Sequence, residues 1–381
     1  MQHTKFTSKV SFEDGLPSHA RVFRNLCILV RCALDDQLCP EHPLDQKFDE
    51  KISILAAIHH VTPLLGRLSE RDNASHFASK SLLDYFQFIR SENCKRNAGL
   101  KQDLLEVISN LNSMGIHPLL FKGAAHLTQG FYGNIADRYM LDLDILVPKS
   151  RTLEACDMLR KLGYKDTQEA GINMHIGKHA PGMRRDETLV EIHWHVYNKE
   201  LQGDLHLPSG VQRSAIYRDS EVFFHTLDDE DAVFHFIWHS QVAHRRYVAG
   251  RIDLMSLVEL RMLAETFGCA VIEHVVHNAE KHGFSHAFRG MVAAANNYVG
   301  SDISIEEDRK ANAYLLRINF NQLFPWAAFI AAILRENLNR VRVNLGNRHI
   351  ISRYPGRLFQ KDFYTNRLKD FRKILYTTTM K

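Results

Sequence analysis

The run LDLDILVP, residues 141–148, alternates apolar and polar side chains with a period of two and stops at a proline that a central strand would not accommodate. On a strand, Leu141, Leu143, Ile145 and Val147 point to one face, and Asp142, Asp144 and Leu146 to the other. A fold built around this run has to bury the aliphatic face and keep two carboxylates side by side on the opposite one. A second alternating run, LVEIHWHVY, sets Val190, Ile192, Trp194 and Val196 against Glu191, His193 and His195. It predicts a second strand with a polar face.

The surroundings carry helical periodicity. Before residue 113 it appears in FRNLCILVRCAL, DEKISILAAIHHVTPLLGRL, SLLDYFQFIRSEN and LKQDLLEVISNLNSM. Gly115 ends the last of these, His117 to Phe121 form a short apolar run, and Lys122 and Gly123 open a helix that reaches about Gly130. RTLEACDMLRKLGY is an amphipathic helix between the two strands, and DDEDAVFHFIWHS and RIDLMSLVELRMLAETFG resume the helical pattern beyond residue 228. The predicted class is α+β: a compact α/β core at 114–200, a helical N-terminal region at 1–113, a helical domain at 201–300 and a basic helical C-terminal region at 301–381.

With 45% apolar and 24% charged residues, the chain has the balance of a globular protein. Its longest apolar runs, at 26–30 and 324–334, are too short to span a bilayer. The N-terminal MQHTKFTSKVSFEDG lacks the apolar stretch of a signal peptide, and a cytoplasmic location is expected. The six cysteines include no C-x-x-C pair and read as buried free thiols. The net charge of +4 hides an asymmetry, because residues 335–381 hold twelve Lys/Arg against three acids. This tail could contact RNA through phosphates, but an amphipathic helix with a solvated basic face is the preferred reading.

Asp142 and Asp144 on one strand face lie within reach of one cation, and two carboxylates that close repel unless positive charge lies between them. Mg²⁺ held by carboxylates and substrate phosphate oxygens meets that need. Glu191, on the polar face of the other strand, is the candidate third carboxylate. Carboxylate repulsion also predicts that Asp144→Asn leaves stability unchanged or slightly raised. Upstream, the turn from Phe121 through Gly123 into a helix offers backbone N–H groups and a positive dipole end to a phosphate chain.

At these residues the sequence resembles a family. The run LLFKGAAHLTQGFYGNIADRYMLDLDILVP, the helix ending in LGY and the later VEIHWHVY look like the uncharacterised nucleotidyltransferase family of the polymerase-β-like superfamily, which is related to nucleotidyltransferase toxins of abortive-infection systems. The resemblance covers roughly residues 100–260. It implies a small mixed β-sheet nucleotidyltransferase core flanked by helices, with Gly123 in the nucleotide-gripping turn, Asp142 and Asp144 as metal ligands and Glu191 as the third carboxylate. Lys122 and Arg138 match basic positions that face the triphosphate or hold the loop before the catalytic strand. The chain departs from the wider superfamily at the turn, where Gly123 is followed by Ala124 and Ala125 in place of Gly-Ser or Gly-Gly, removing a hydroxyl that would contact the γ-phosphate.

Twenty-two histidines invite a rival Zn²⁺ reading through His235, His239 and His244, but HFIWH lacks the acidic partner of H-E-x-x-H. His193 and His195 extend the polar face from Glu191 and are the candidates for the acceptor side. The expected function is transfer of a nucleoside monophosphate from an NTP to an unidentified acceptor with release of pyrophosphate. The expected cofactor is Mg²⁺, with Mn²⁺ as the alternative, and the acceptor is a small molecule, peptide, protein or RNA. Two rivals stand beside it. One is a GT-A-like glycosyltransferase using the D-x-D as its metal site, disfavoured because the preceding hundred residues read as helix. The other is an inactive nucleotide- or partner-binding module, favoured only by the missing hydroxyl.

Overall fold

The structure, a computed structural model, describes residues 18–40, 44–167, 178–197, 214–219, 222–306 and 308–324. The basic tail at 335–381 lies outside the described residues. Helices α1 (Ser18–Leu34), α2 (Asp49–Ile58) and α3 (Thr62–Leu65) lead to a 34-residue helix, α4 (Lys80–Ser113). Ser79 caps α4 by accepting a hydrogen bond from Leu82 N at 3.3 Å. The two separate periodic runs read from the sequence here are halves of one helix.

The chain then enters the sheet. Strand β1 (Leu119–Leu120), helix α5 (Lys122–Gln129), strand β2 (Leu143–Leu146), helix α6 (Thr152–Lys161) and strands β3 (Lys165–Asp166), β4 (Met183–Arg185) and β5 (Thr188–His193) follow in order. A hairpin of β6 (Ser214–Asp219) and β7 (Val222–Leu227) completes it, so the sheet continues past residue 200. The strand order is β3-β4-β5-β2-β1-β7-β6. β2 runs parallel to β5 and β1 parallel to β7, and the other pairings are antiparallel. This is the mixed sheet flanked by helices that the sequence predicts.

Helices α7 (Asp229–Trp238), α8 (Arg246–Ala249), α9 (Leu254–Phe267), α10 (Cys269–Asn278), α11 (Ser285–Val299) and α12 (Arg309–Leu323) complete the described chain. Asp228 caps α7 by accepting from Asp231 N at 2.8 Å, and α7 runs on into one π-helical turn, His239–Ala243. Among the described residues no helix is long and apolar enough to cross a membrane. Three cysteines, Cys27, Cys32 and Cys156, are buried as expected, whereas Cys39 and Cys269 are exposed and Cys94 is half-buried.

Two apolar cores form. One gathers α1–α3, the first half of α4 and the helices from α7 to α12. The other joins the second half of α4 to α5, α6 and the sheet. Helix α4 spans both, with Leu82, Leu83 and Phe86 in the first and Leu100, Leu104, Val107, Ile108 and Leu111 in the second.

Candidate active site

β2 and β5 pair in parallel with Asp144 opposite Glu191 and Leu146 opposite His193. Strand alternation then puts Asp144, Glu191 and His193 on one face of the sheet. The strand begins only at Leu143, so Asp142 stands just before it, and Leu141 is 58% exposed instead of sharing the aliphatic face predicted for it. Asp142 is half-buried and lines the same cavity as Asp144 and Glu191.

Asp144 is 1% exposed, with Lys122 Nζ 2.8 Å and His193 Nε2 2.8 Å from its Oδ1. Burial alone would raise its carboxyl, but Lys122 and then His193 outweigh that and hold it well below the usual carboxylate range. The expectation that Asp144→Asn would be neutral or stabilising is therefore corrected, because the buried charge is paired with the Lys122 ammonium group and does not face only another carboxylate. Asp142 behaves oppositely. Burial, and then the Asp144 charge, push its carboxyl up. The His193 ring beside Glu191 draws that carboxyl down against the effect of burial.

His193 is fully buried, with Nε2 also 3.4 Å from Glu191 Oε2. Neither ring nitrogen has a hydrogen-bond partner, so Nε2 sits near both oxygens without the alignment of a donated bond. One ligand atom each from Asp144, Glu191 and His193 lies within 4.8 Å of the others. Two carboxylate oxygens and an orphaned imidazole nitrogen form a donor set that suits a divalent cation. This set exchanges Asp142 of the predicted trio for His193.

The turn is built from residues with separate duties. Lys122 adopts a left-handed backbone (φ 54°) at the start of α5. Gly123 is buried against the loop before β2: a Cβ there would lie 3.0 Å from Met140 Cε and 3.2 Å from Arg138 Nη1. Ala124 and Ala125 are buried in the sheet-side core. Arg138 donates to Glu259 of α9 from Nε at 2.8 Å and from Nη2 at 3.3 Å. Glu259 also accepts from Tyr132, which is 3.1 Å from His126 Nδ1. Burial would raise the Glu259 carboxyl, but Arg138 outweighs it and holds the group at about 2. Arg138 thus ties the loop before β2 to the helical region.

The loop is held from the other side by α4. Asn93 Nδ2 donates to the Ala136 and Arg138 carbonyls at 2.7 and 2.8 Å, and Asn97 Nδ2 to Arg138 O at 2.8 Å. Asp137, 2% exposed, accepts from Arg67 Nε and Arg90 Nε, each at 2.9 Å.

A cavity of about 730 Å³ opens over the carboxylates, walled by α5 and the sheet on one side and by α7, the π-turn and α9 on the other. His235 and His239 of that second wall stack at 5.7 Å, and Phe121 stands between His193 and His235 with ring centroids 5.0 and 5.5 Å away. Burial holds His235 and His239 in the neutral form. Of the two histidines assigned to the acceptor side, His193 joins the carboxylates. His195 lies beyond the end of β5, is exposed and does not line the cavity. Lys178 and Glu259, both on the cavity wall, were not anticipated. Lys178 falls in an aperiodic stretch, and Glu259 in a helix whose pattern speaks only of packing.

Comparison with curated proteins finds no match. The description of a family called uncharacterised nucleotidyltransferase fits residues 47–300, about two thirds of the chain, from α2 through the sheet and both cavity walls to the end of α11. On that match, the chain belongs to the uncharacterised nucleotidyltransferase family.

Proposed function

We propose that the cavity transfers a nucleoside monophosphate from an NTP to an acceptor with release of pyrophosphate. The observation that carries this reading is the convergence of Asp142, Asp144 and Glu191 beside the N-terminal turn of α5 in one cavity of nucleotide size, with the His193 ring buried against Asp144 and Glu191. Asp144, Glu191 and His193 would hold a divalent cation with Asp142 alongside. An imidazole among the donors suits Mn²⁺ at least as well as Mg²⁺. When bound, such an ion neutralises phosphate charge and polarises the phosphorus under attack.

The chain's own groups supply the rest. The start of α5, with Gly123 on the cavity wall, carries the free N–H groups and positive dipole end of a helix, which favour phosphate oxygens. An acceptor oxygen bonds to the α-phosphorus as its bond to the bridging oxygen breaks and pyrophosphate leaves with the electron pair. Asp142, the carboxylate with raised proton affinity, is the group suited to take the acceptor's proton. Phe121, Phe236 and Phe267 line the cavity and limit water around the reacting groups.

The test uses each of four α-labelled NTPs with Mg²⁺ or Mn²⁺ and a cell lysate. The expected result is label in one size fraction of acceptor with the native chain and none with Asp144→Asn. Hydrolysis or transfer that is equal in the two proteins would end the reading.

A further inference from the structure

Four Lys and Arg side chains line the cavity among the described residues. Three are committed to carboxylates: Lys122 to Asp144 at 2.8 Å, Arg138 to Glu259 at 2.8 Å and Arg246 to Asp253 at 3.3 Å. Arg246 also donates to Ser256 at 2.9 Å. Lys178 is the exception. Among the described residues no carboxylate oxygen lies within 4 Å of its ammonium group, although it shares the cavity with Asp142, Asp144 and Glu191.

Its position is nevertheless fixed. The Lys178 carbonyl accepts from Trp194 N at 2.9 Å and His195 N at 3.1 Å, and two residues on Ala180 N donates to Ile192 O at 2.8 Å. His179 bridges to His193, with ring centroids 4.8 Å apart. This short segment lies along the end of β5, so Lys178 is anchored beside the carboxylate cluster by backbone bonds that do not involve its side chain.

A half-buried ammonium group next to a second lysine, with no acid in contact, is electrostatically costly unless an anion joins it. We propose that Lys178 is the phosphate-binding cation of this cavity, its ammonium group donating to non-bridging oxygens of the nucleotide's phosphate chain. This rests on the nucleotidyltransferase reading above. Burial, and then the Lys122 charge, lower the proton affinity of Lys178, and an arriving phosphate would relieve both effects. Lys122 and Arg138, matched on resemblance to positions that face the triphosphate or hold the loop before the catalytic strand, are each occupied by a carboxylate. The uncommitted cation comes from the edge of β5 instead.

The test is calorimetric titration of the full chain with inorganic tripolyphosphate in the presence of EDTA, which isolates protein-to-phosphate contacts from any metal. Lys178→Gln and Lys178→Met should bind about tenfold more weakly or worse, as loss of a charged hydrogen bond implies. Lys178→Arg should stay within a few-fold of the native chain, and Lys149→Gln, at an exposed residue that does not line the cavity, should be unchanged. The Met variant keeps the aliphatic stem, and circular dichroism on each variant separates lost binding from lost folding. If the native chain binds tripolyphosphate and the Gln and Met variants bind it equally well, the assignment of Lys178 is overturned and the nucleotidyltransferase reading stands. If the native chain binds neither tripolyphosphate nor any of the four NTPs with Mg²⁺, both fall together.

Discussion

Asp142 and Asp144 are two residues apart, yet their environments give them opposite signs. The Asp142 carboxyl is raised above its unfolded value, so its folded state favours the proton; the associated stability is full below the unfolded pKa and is lost as pH rises through the folded one. Asp142→Asn should therefore stabilise the metal-free chain at pH 7, with the gain vanishing below about pH 4. Asp144 is depressed by Lys122 and His193, so its contribution is complete at neutral pH and survives until strong acid. Asp144→Asn strands Lys122 and should cost about 2 kcal/mol at pH 7. Urea midpoints of both variants in EDTA at pH 7 and pH 4 check the pair, and midpoints shifting in the same direction at pH 7 would contradict it. Asp144 and Glu191 were legible as residues on the polar side of two alternating runs, which the parallel β2–β5 register brings together, while Asp142 stands just before β2. The exchange of Asp142 for His193 in the tightest donor set was not. It depends on where β2 begins and on which parallel partner His193 meets, and neither is encoded in local spacing.

At the scale of elements, the site depends on a loop that forms no regular structure, held between α4 and α9. Asp137 is its central anchor. Asp137→Ala would leave Arg67 and Arg90 facing each other across a buried gap, and a loss of about 3 kcal/mol is expected. Since the loop leads directly into Asp142, metal binding should weaken too, which Mn²⁺ titration followed by electron paramagnetic resonance would detect. Unchanged Mn²⁺ affinity in a folded Asp137→Ala protein would separate the loop from the site. Helices α5, α6, α7 and α9 were legible from periodicity; α5 and α9 end at Gly130 and Gly268, Gly163 follows the Leu162 cap of α6, and α7 runs on into its π-helical turn. Strand β7 was missed although VFFHTL carries the signal, with Val222, Phe224 and Thr226 buried and Phe223 exposed. Its two phenylalanines and closing leucine blur the alternation, and its partner β1 lies about a hundred residues upstream. The two-residue β1 and β3 and the three-residue β4 are too short to imprint a period at all.

Across the whole molecule, several buried histidines are neutral in the folded chain. His59 accepts from Leu254 N through Nδ1 at 3.4 Å, a role open only to the unprotonated ring, and burial lowers it to about 4; burial likewise lowers His235 and His239. Between pH 6.5 and those lower values the unfolded chain binds more protons than the folded one, so stability must fall as pH falls. A loss of about 2 kcal/mol per group between pH 7 and pH 5, or roughly 5–6 kcal/mol for the three together, is expected. A flat urea midpoint across that range would refute it. The overall plan of helix, small sheet and helix was readable in the sequence, but the sharing of one core by the first and last helices was not, since no local pattern says which distant face an apolar stripe will meet.

That shared core has a consequence for how the chain is made. Helix α1 packs on α11 and α12: Arg31 donates to the Tyr298 carbonyl at 3.2 Å, and His19 Nε2 lies 3.1 Å from Leu323 O. At ribosomal rates of about 5–20 residues per second, α1 is finished tens of seconds before its partners leave the ribosome. The sheet-side core, complete by β7, can close during that interval, whereas the apolar stripe of Val22, Leu26, Leu29 and Val30 has only α2 and α3 to cover it until the late helices emerge. The sheet-bearing half of the protein is thus the first to mature on the ribosome, and the nascent N-terminal helix, only partly covered by α2 and α3, is the natural client of a chaperone.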